Sequence, residues 1–302
     1  MPVEATVDTL LGALLMFLAI SVAFADVVQF ENISAKENAG RLVAMAGTAE
    51  RVTVNFLENS TPGQGIAPDV LLQLASVPGD PNPAPPQVTY SQYLTDAGLK
   101  GVGLSLDIAA PLTVTSNVTQ GGITVSVTQS FGGAPVAAAV KMYVFNGTAV
   151  LATIQGQASL DGKFFATYTL PSGAVAVTFA NAGNSVGYDA VNGTGGELSD
   201  GPMYVQTGVM KGISALTYLF AFEGWLGPLT AGDAVNVSGY HLPVLLVYQL
   251  PDGSYSATTY PRLPYDFGSH PAPGTDSTIF LVDIQVASSI LIMRLQAWVT
   301  GP

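Results

Sequence analysis

The chain has 302 residues, 48% of them apolar and only 10% charged, enough for a large core in one or two globular units. Twenty-one acids against nine bases give a formal net charge of −12, which excludes nucleic acid and anionic membrane surfaces as partners held through phosphate contacts. Cysteine is absent, and with it a disulfide framework, a thiol nucleophile and a cysteine metal site.

The N-terminal stretch VDTLLGALLMFLAISVAFADVV ends its apolar run in Ala23-Phe24-Ala25, as a secretory signal does before cleavage. Such a signal needs basic residues in front, and here Glu4 and Asp8 precede the run while the first base is Lys36. The segment is therefore expected to be kept. No proline falls between Pro2 and Pro62, so Val3 to Glu58 reads as one helix, a rod of about 84 Å. Pro2 suits its first turn and Asn59-Ser60-Thr61-Pro62-Gly63 its stop. Residues 10–25 are apolar all round, as in a helix surrounded by lipid or by other helices. Residues 26–58 are amphipathic, with Leu42, Met45, Ala49, Val52 and Phe56 at three- and four-residue steps, so one face of this half is expected to rest on something apolar.

A proline-rich connection follows at 61–87, including PGDPNPAPP. From 88 to 302 the chain is β-rich: LTVTSNVT, ITVSVTQS, VKMYVF, FFATYTL and AVAVTFA are separated by turn residues at roughly ten-residue spacing, the pattern of an antiparallel sandwich. A glycine-rich seam at 181–201 is either a domain boundary or a long surface loop. Beyond it come SALTYLFAF, LPVLLVYQL, SYSATTY, TIFLVDIQV and ILIMRLQAWV, further strands at 202–302 that form either part of one domain or a second lobe. The fold class expected is α+β, a long N-terminal helix followed by an all-β, sandwich-like region.

Chemistry-bearing motifs are few. Asp266-Phe267-Gly268 matches a kinase tripeptide without the glycine-rich or catalytic loops that accompany it, and reads as a turn. A metal site shared by His241 and His270, the two histidines, is disfavoured, and no nucleophile elbow occurs. No enzyme activity, metal site or cofactor is expected. Six of the eleven asparagines head Asn-X-Ser/Thr sequons, an excess that points outside the cell. Asn59, Asn117, Asn146, Asn192 and Asn236 are glycosylation candidates, whereas Asn32 lies inside the expected helix; Asn-Gly-Thr at 146 and 192 is also ordinary turn chemistry. Glu4 either complements the positive end of the helix dipole or pairs with the α-amine of a neighbouring subunit.

An apolar-then-amphipathic helix with an acid near its start, in VEATVDTLLGALLMFLAISVAFADVVQF, ahead of a proline- and β-rich region, resembles the archaeal type IV pilin and archaellin superfamily. The stretches ITVSVTQSFGGAPVAAAVKMYVF and ASLDGKFFATYTLPSGAVAVTF resemble an immunoglobulin-like surface module at about 104–182. Together they look most like an archaeal adhesion filament subunit. The resemblance implies a helical homopolymer of identical subunits, held in the membrane before an export ATPase machinery assembles them into an extracellular filament. It implies an interface through Glu4 and through Leu10, Leu11, Leu14, Leu15, Phe17, Leu18 and Phe24, with Val27 and Phe30 just beyond. The competing expectation is a membrane-anchored monomeric surface-layer or ligand-binding ectodomain.

Overall fold

The computed structural model describes residues 39–57, 94–99, 102–147, 149–194, 196, 198–200, 205–206, 209–211, 217–230, 233–237, 239–286 and 289–300. Within that range the molecule is mostly β, built of antiparallel sheets with few helices. Residues 39–57 form helix α1 and residues 94–96 a further helical turn. The strands are β1 (Val102–Ala109), β2 (Leu112–Thr119), β3 (Gly122–Gln129), β4 (Ala139–Asn146), β5 (Ala149–Gln157), β6 (Lys163–Ala166), β7 (Val175–Ala182) and β8 (Ser185–Asn192), then β9 (Ser199–Asp200), β10 (Val205–Gln206) and β11 (Val209–Lys211). The last are β12 (Thr217–Ala221), β13 (Gly224–Leu229), β14 (Ala234–Asn236), β15 (Val244–Gln249), β16 (Tyr255–Tyr260), β17 (Tyr265–Gly268), β18 (Ser277–Val286) and β19 (Ser289–Val299).

Four sheets lie face to face, in the orders β2-β3-β6, β5-β4-β7-β8, β13-β12-β15-β16-β9 and β17-β1-β19-β18, and a small sheet β10-β11-β14 stands beside them. Pairing is antiparallel except where β9 meets β16. Side chains alternate across a strand, and β4 shows what that does here. Val140, Met142 and Val144 enter the core shared with the first sheet, while Tyr143 and Phe145 enter a second core with Tyr218 and Phe220 of the third sheet. Strand β15 repeats the device one layer on: Leu245 and Val247 face the second sheet, and Val244, Leu246 and Tyr248 face the fourth. Strands covered on both faces need apolar residues at successive positions, which is why VLLVY and YLFA run without polar breaks. By contrast β5, at a sheet edge, is half-exposed at every other residue.

The two halves of the β region are thus joined by a buried aromatic cluster, with Phe145 and Phe220 ring centroids 5.0 Å apart and Tyr143 and Phe220 5.7 Å apart. Tyr188 adds a polar tie, its hydroxyl donating to the Leu263 carbonyl at 2.8 Å. Close approach of β8 to the first sheet depends on Gly187, where a Cβ would stand 2.2 Å from the Leu112 carbonyl oxygen. The limits drawn from sequence for the first sandwich, 104 and 182, differ from the strand pairing: β1 belongs to the fourth sheet, and the sandwich closes with β8 at Asn192. The first part of the glycine-rich seam is accordingly a strand. Asp266-Phe267-Gly268, expected as a turn, is also a strand, paired with β1 from Ser105 to Ile108.

Helix α1 does rest on an apolar surface, and that surface is the chain's own. Leu42, Ala46, Ala49, Thr53 and Leu57 are buried, and Ala49 and Leu57 share a core with β1, β15 and β19. This stripe keeps Leu42 and Ala49 of the expected one but is rotated by about 60° from the line of Leu42, Met45, Ala49, Val52 and Phe56, at 100° per residue. Small side chains at 46, 49 and 53 let the helix approach the core closely, and the Thr53 hydroxyl is satisfied by donating to the Ala49 carbonyl at 2.7 Å. Met45, Val54 and Phe56 flank the contact, partly buried. The remainder of the long helix expected over residues 3–58 lies outside the described residues.

Candidate functional site

The outward face of the fourth sheet carries the densest polar grouping among the described residues. Antiparallel register sets Asp107 of β1 opposite Arg294 of β19 on one side and opposite Asp266 of β17 on the other. The Arg294 guanidinium donates to Asp107 Oδ2 at 3.2 Å and to Gln296 Oε1 at 3.2 Å. Gln296 in turn donates its amide to Ser277 Oγ at 2.8 Å. The Phe131 ring, from the turn between β3 and β4, lies 5.9 Å from the guanidinium carbon, a cation–π contact that holds Arg294 on its second face. His270 reaches back along its own loop to place Nε2 3.1 Å from Asp266 Oδ2. Next to them the Trp298 indole lies over Gly103, where a Cβ would be 2.1 Å from the ring.

Asp107 is 8% exposed, and burial pushes its carboxyl above the ordinary range; the negative charge of Asp266 adds to the rise, while Arg294 and His270 oppose it. One ligand atom each from Asp107, Asp266 and His270 lies within 4.8 Å of the others. Strand register, not sequence spacing, assembles this group. Asp107 and Arg294 stand 187 positions apart, so no local motif announces them. His241 is elsewhere, its Nδ1 on Glu223 Oε1, so the two histidines share no site. A cleft of about 150 Å³ opens between β8 and the third sheet, lined by Tyr188, Asp189, Leu198, Leu245, Thr258 and Leu263.

No family model matches the chain, and neither a curated protein nor a solved structure does. Among the described residues, no helix is long and apolar enough to cross a membrane.

The asparagines expected to carry sugar lie at strand ends or on an open face. Asn117 is exposed on the outer side of the first sheet, opposite Thr124. Asn146 and Asn192 end β4 and β8, and Asn236 ends β14, where it is exposed. Asn192 Oδ1 accepts from Thr194 Oγ1 at 2.6 Å and from the Gly196 amide at 3.0 Å, so its side chain is tied into a turn. Asn59, and the interface residues from Glu4 and Leu10 through to Val27 and Phe30, lie outside the described residues.

Proposed function

We propose that this chain is the structural subunit of an extracellular, type IV pilus-like filament that polymerises through its N-terminal helix and serves surface adhesion. The observation that carries the proposal is the division of labour along that helix. Residues 42–57 have one buried face, and it is turned into the subunit's own core. The run from Leu10 to Ala25 is apolar on every face, so a neighbour on one side cannot satisfy it; a bundle of like helices can, with each buried Leu or Phe contributing about 1.5 to 3 kcal/mol. Contacts between unlike surfaces of identical copies do not close, and so propagate as a helix.

The β region is then an outward-facing, glycan-bearing part in which the three-on-four strand order of residues 112–192 supports an immunoglobulin-like module. In this reading the monomer waits in the membrane on its apolar run until an export ATPase machinery draws it into the fibre, and it carries out no catalysis. Negative-stain microscopy of sheared cells is the direct test. Leu14→Asp is expected to abolish filaments, because it buries an unpaired carboxylate among apolar helices. Normal filaments from that variant would refute a bundled core.

A second reading is favoured by one specific observation. Because the chain's own sheets cover the amphipathic face at 42–57, that face does not require a neighbouring subunit, and a membrane-anchored monomeric ectodomain satisfies it equally well. Such a protein would remain with the membrane fraction and yield no fibres on shearing.

A further inference from the structure

We infer that Asp107, Asp266 and His270 form a binding site for one divalent transition-metal ion, with the buried hydroxyl of Ser105 next along the same face of β1. Two carboxylate oxygens and one imidazole nitrogen lie within 4.8 Å of one another, close enough for small side-chain rotations to bring them to the roughly 3.3–3.6 Å separations of donors around one tetrahedral ion bound at about 2.0–2.2 Å. Mixed oxygen and nitrogen donors suit zinc and its neighbours, whereas calcium takes oxygen alone.

Ser105 supplies the independent sign of a missing ligand. It is fully buried, and its hydroxyl meets no hydrogen-bond partner among the described residues, a costly state for a polar group. Alternation along β1 puts Ser105 on the same side of the sheet as Asp107. Its cross-strand neighbours are Gly268 and Gln296. Glycine offers no side chain, and the Gln296 amide is already committed to Arg294 and Ser277. Register thus sets Ser105 beside Gly268 as it sets Asp107 beside Asp266, and Ser105 is the next residue along β1 on the face that carries the two carboxylates.

Arg294 fits the site as a partner of a ligand. Its guanidinium donates to Oδ2 of Asp107, the kind of hydrogen bond that commonly supports a ligating carboxylate. An ion here also offsets the repulsion between Asp107 and Asp266, which the single guanidinium on Asp107 leaves in place. It would fasten the loop after β17 to the centre of the fourth sheet.

The test uses the full-length chain stripped with EDTA and titrated with zinc chloride by calorimetry, with thermal melting in parallel. One ion per chain is expected, with a rise in melting temperature of several degrees at saturating zinc. Asp266→Asn and His270→Ala, both at exposed side chains, should keep the far-ultraviolet spectrum and lose the zinc response. Arg294→Gln should bind about tenfold more weakly. Ser105→Ala should bind more weakly yet be no less stable without metal, which separates a ligand from a packing residue. His241→Ala should bind as wild type does. Absence of both heat and thermal shift, a retained response in His270→Ala, or a response to calcium equal to that to zinc would overturn the assignment.

Discussion

Alanine at position 49 shows how much a single small residue decides. It is fully buried on the face of α1 that enters the shared core, and a larger side chain there has to push the helix off the sheets. Ala49→Leu is expected to cost about 1–3 kcal/mol, the usual range for overpacking, measurable by urea denaturation; an unchanged midpoint would mean the helix is free to move away. Acids in the turns act through a different link. Asp161 is held below the usual 3.8 chiefly by the hydroxyl of Ser159, Asp233 by the backbone and hydroxyl of Thr230, and Asp252 by the hydroxyl and backbone of Ser254. A depressed carboxyl stabilises the fold above its unfolded value and loses that contribution as the pH falls through its folded one. Replacing all three by asparagine should therefore flatten the loss of stability between about pH 5 and pH 2. Equal acid profiles for the variant and the wild type would show that other groups govern it.

Among the elements, α1 forces a sharper division of the chain than composition suggests. A cut after residue 60 removes Leu42, Ala49 and Leu57 from a core in which they are buried, whereas a cut after residue 38 spares them. The shorter deletion is expected to leave a cooperatively melting β-rich protein; the longer should be several kcal/mol less stable, at about 1.5–3 kcal/mol for each lost Leu. Equal melting of the two would show that the helix contributes nothing to the core. The amphipathic stripe was legible from sequence, but its rotation towards Ala46 and Thr53 was not, because close approach favours small residues that a hydrophobicity pattern passes over. Strand β15 was legible from its unbroken apolar run and β7 from its richness in Val and Phe. Strands β1 and β8 were not: VGLSLDIA and SVGYDAVN carry glycine and a buried aspartate or half-buried tyrosine whose partners lie far along the chain. The same distance hid the Asp107 group, since cross-strand neighbours are set by register alone.

At the scale of the whole molecule, four stacked sheets leave two outer faces to meet solvent, and surface chemistry should follow them. Peptide mapping of the native protein is expected to find glycans at Asn117, Asn146, Asn192 and Asn236 and none at Asn32, with Asn117 on the open face more fully occupied than Asn192, whose side chain is tied into its turn. Full modification at Asn32 would place that part of the chain in the open and contradict the bundle. The fourth sheet has one further consequence. Strand β1 pairs on both sides with strands from the end of the chain, β17 and β19, and Val102 is in register with Val299. A polypeptide made from its N-terminus exposes β1 long before either partner emerges, and such long-range pairing forms late. The core that receives Ala49 and Leu57 thus cannot close around an unfinished chain, and a copy that ends early keeps β1 unpaired. Completion of the last strand therefore decides whether the whole fourth sheet, and the core beneath it, can form at all.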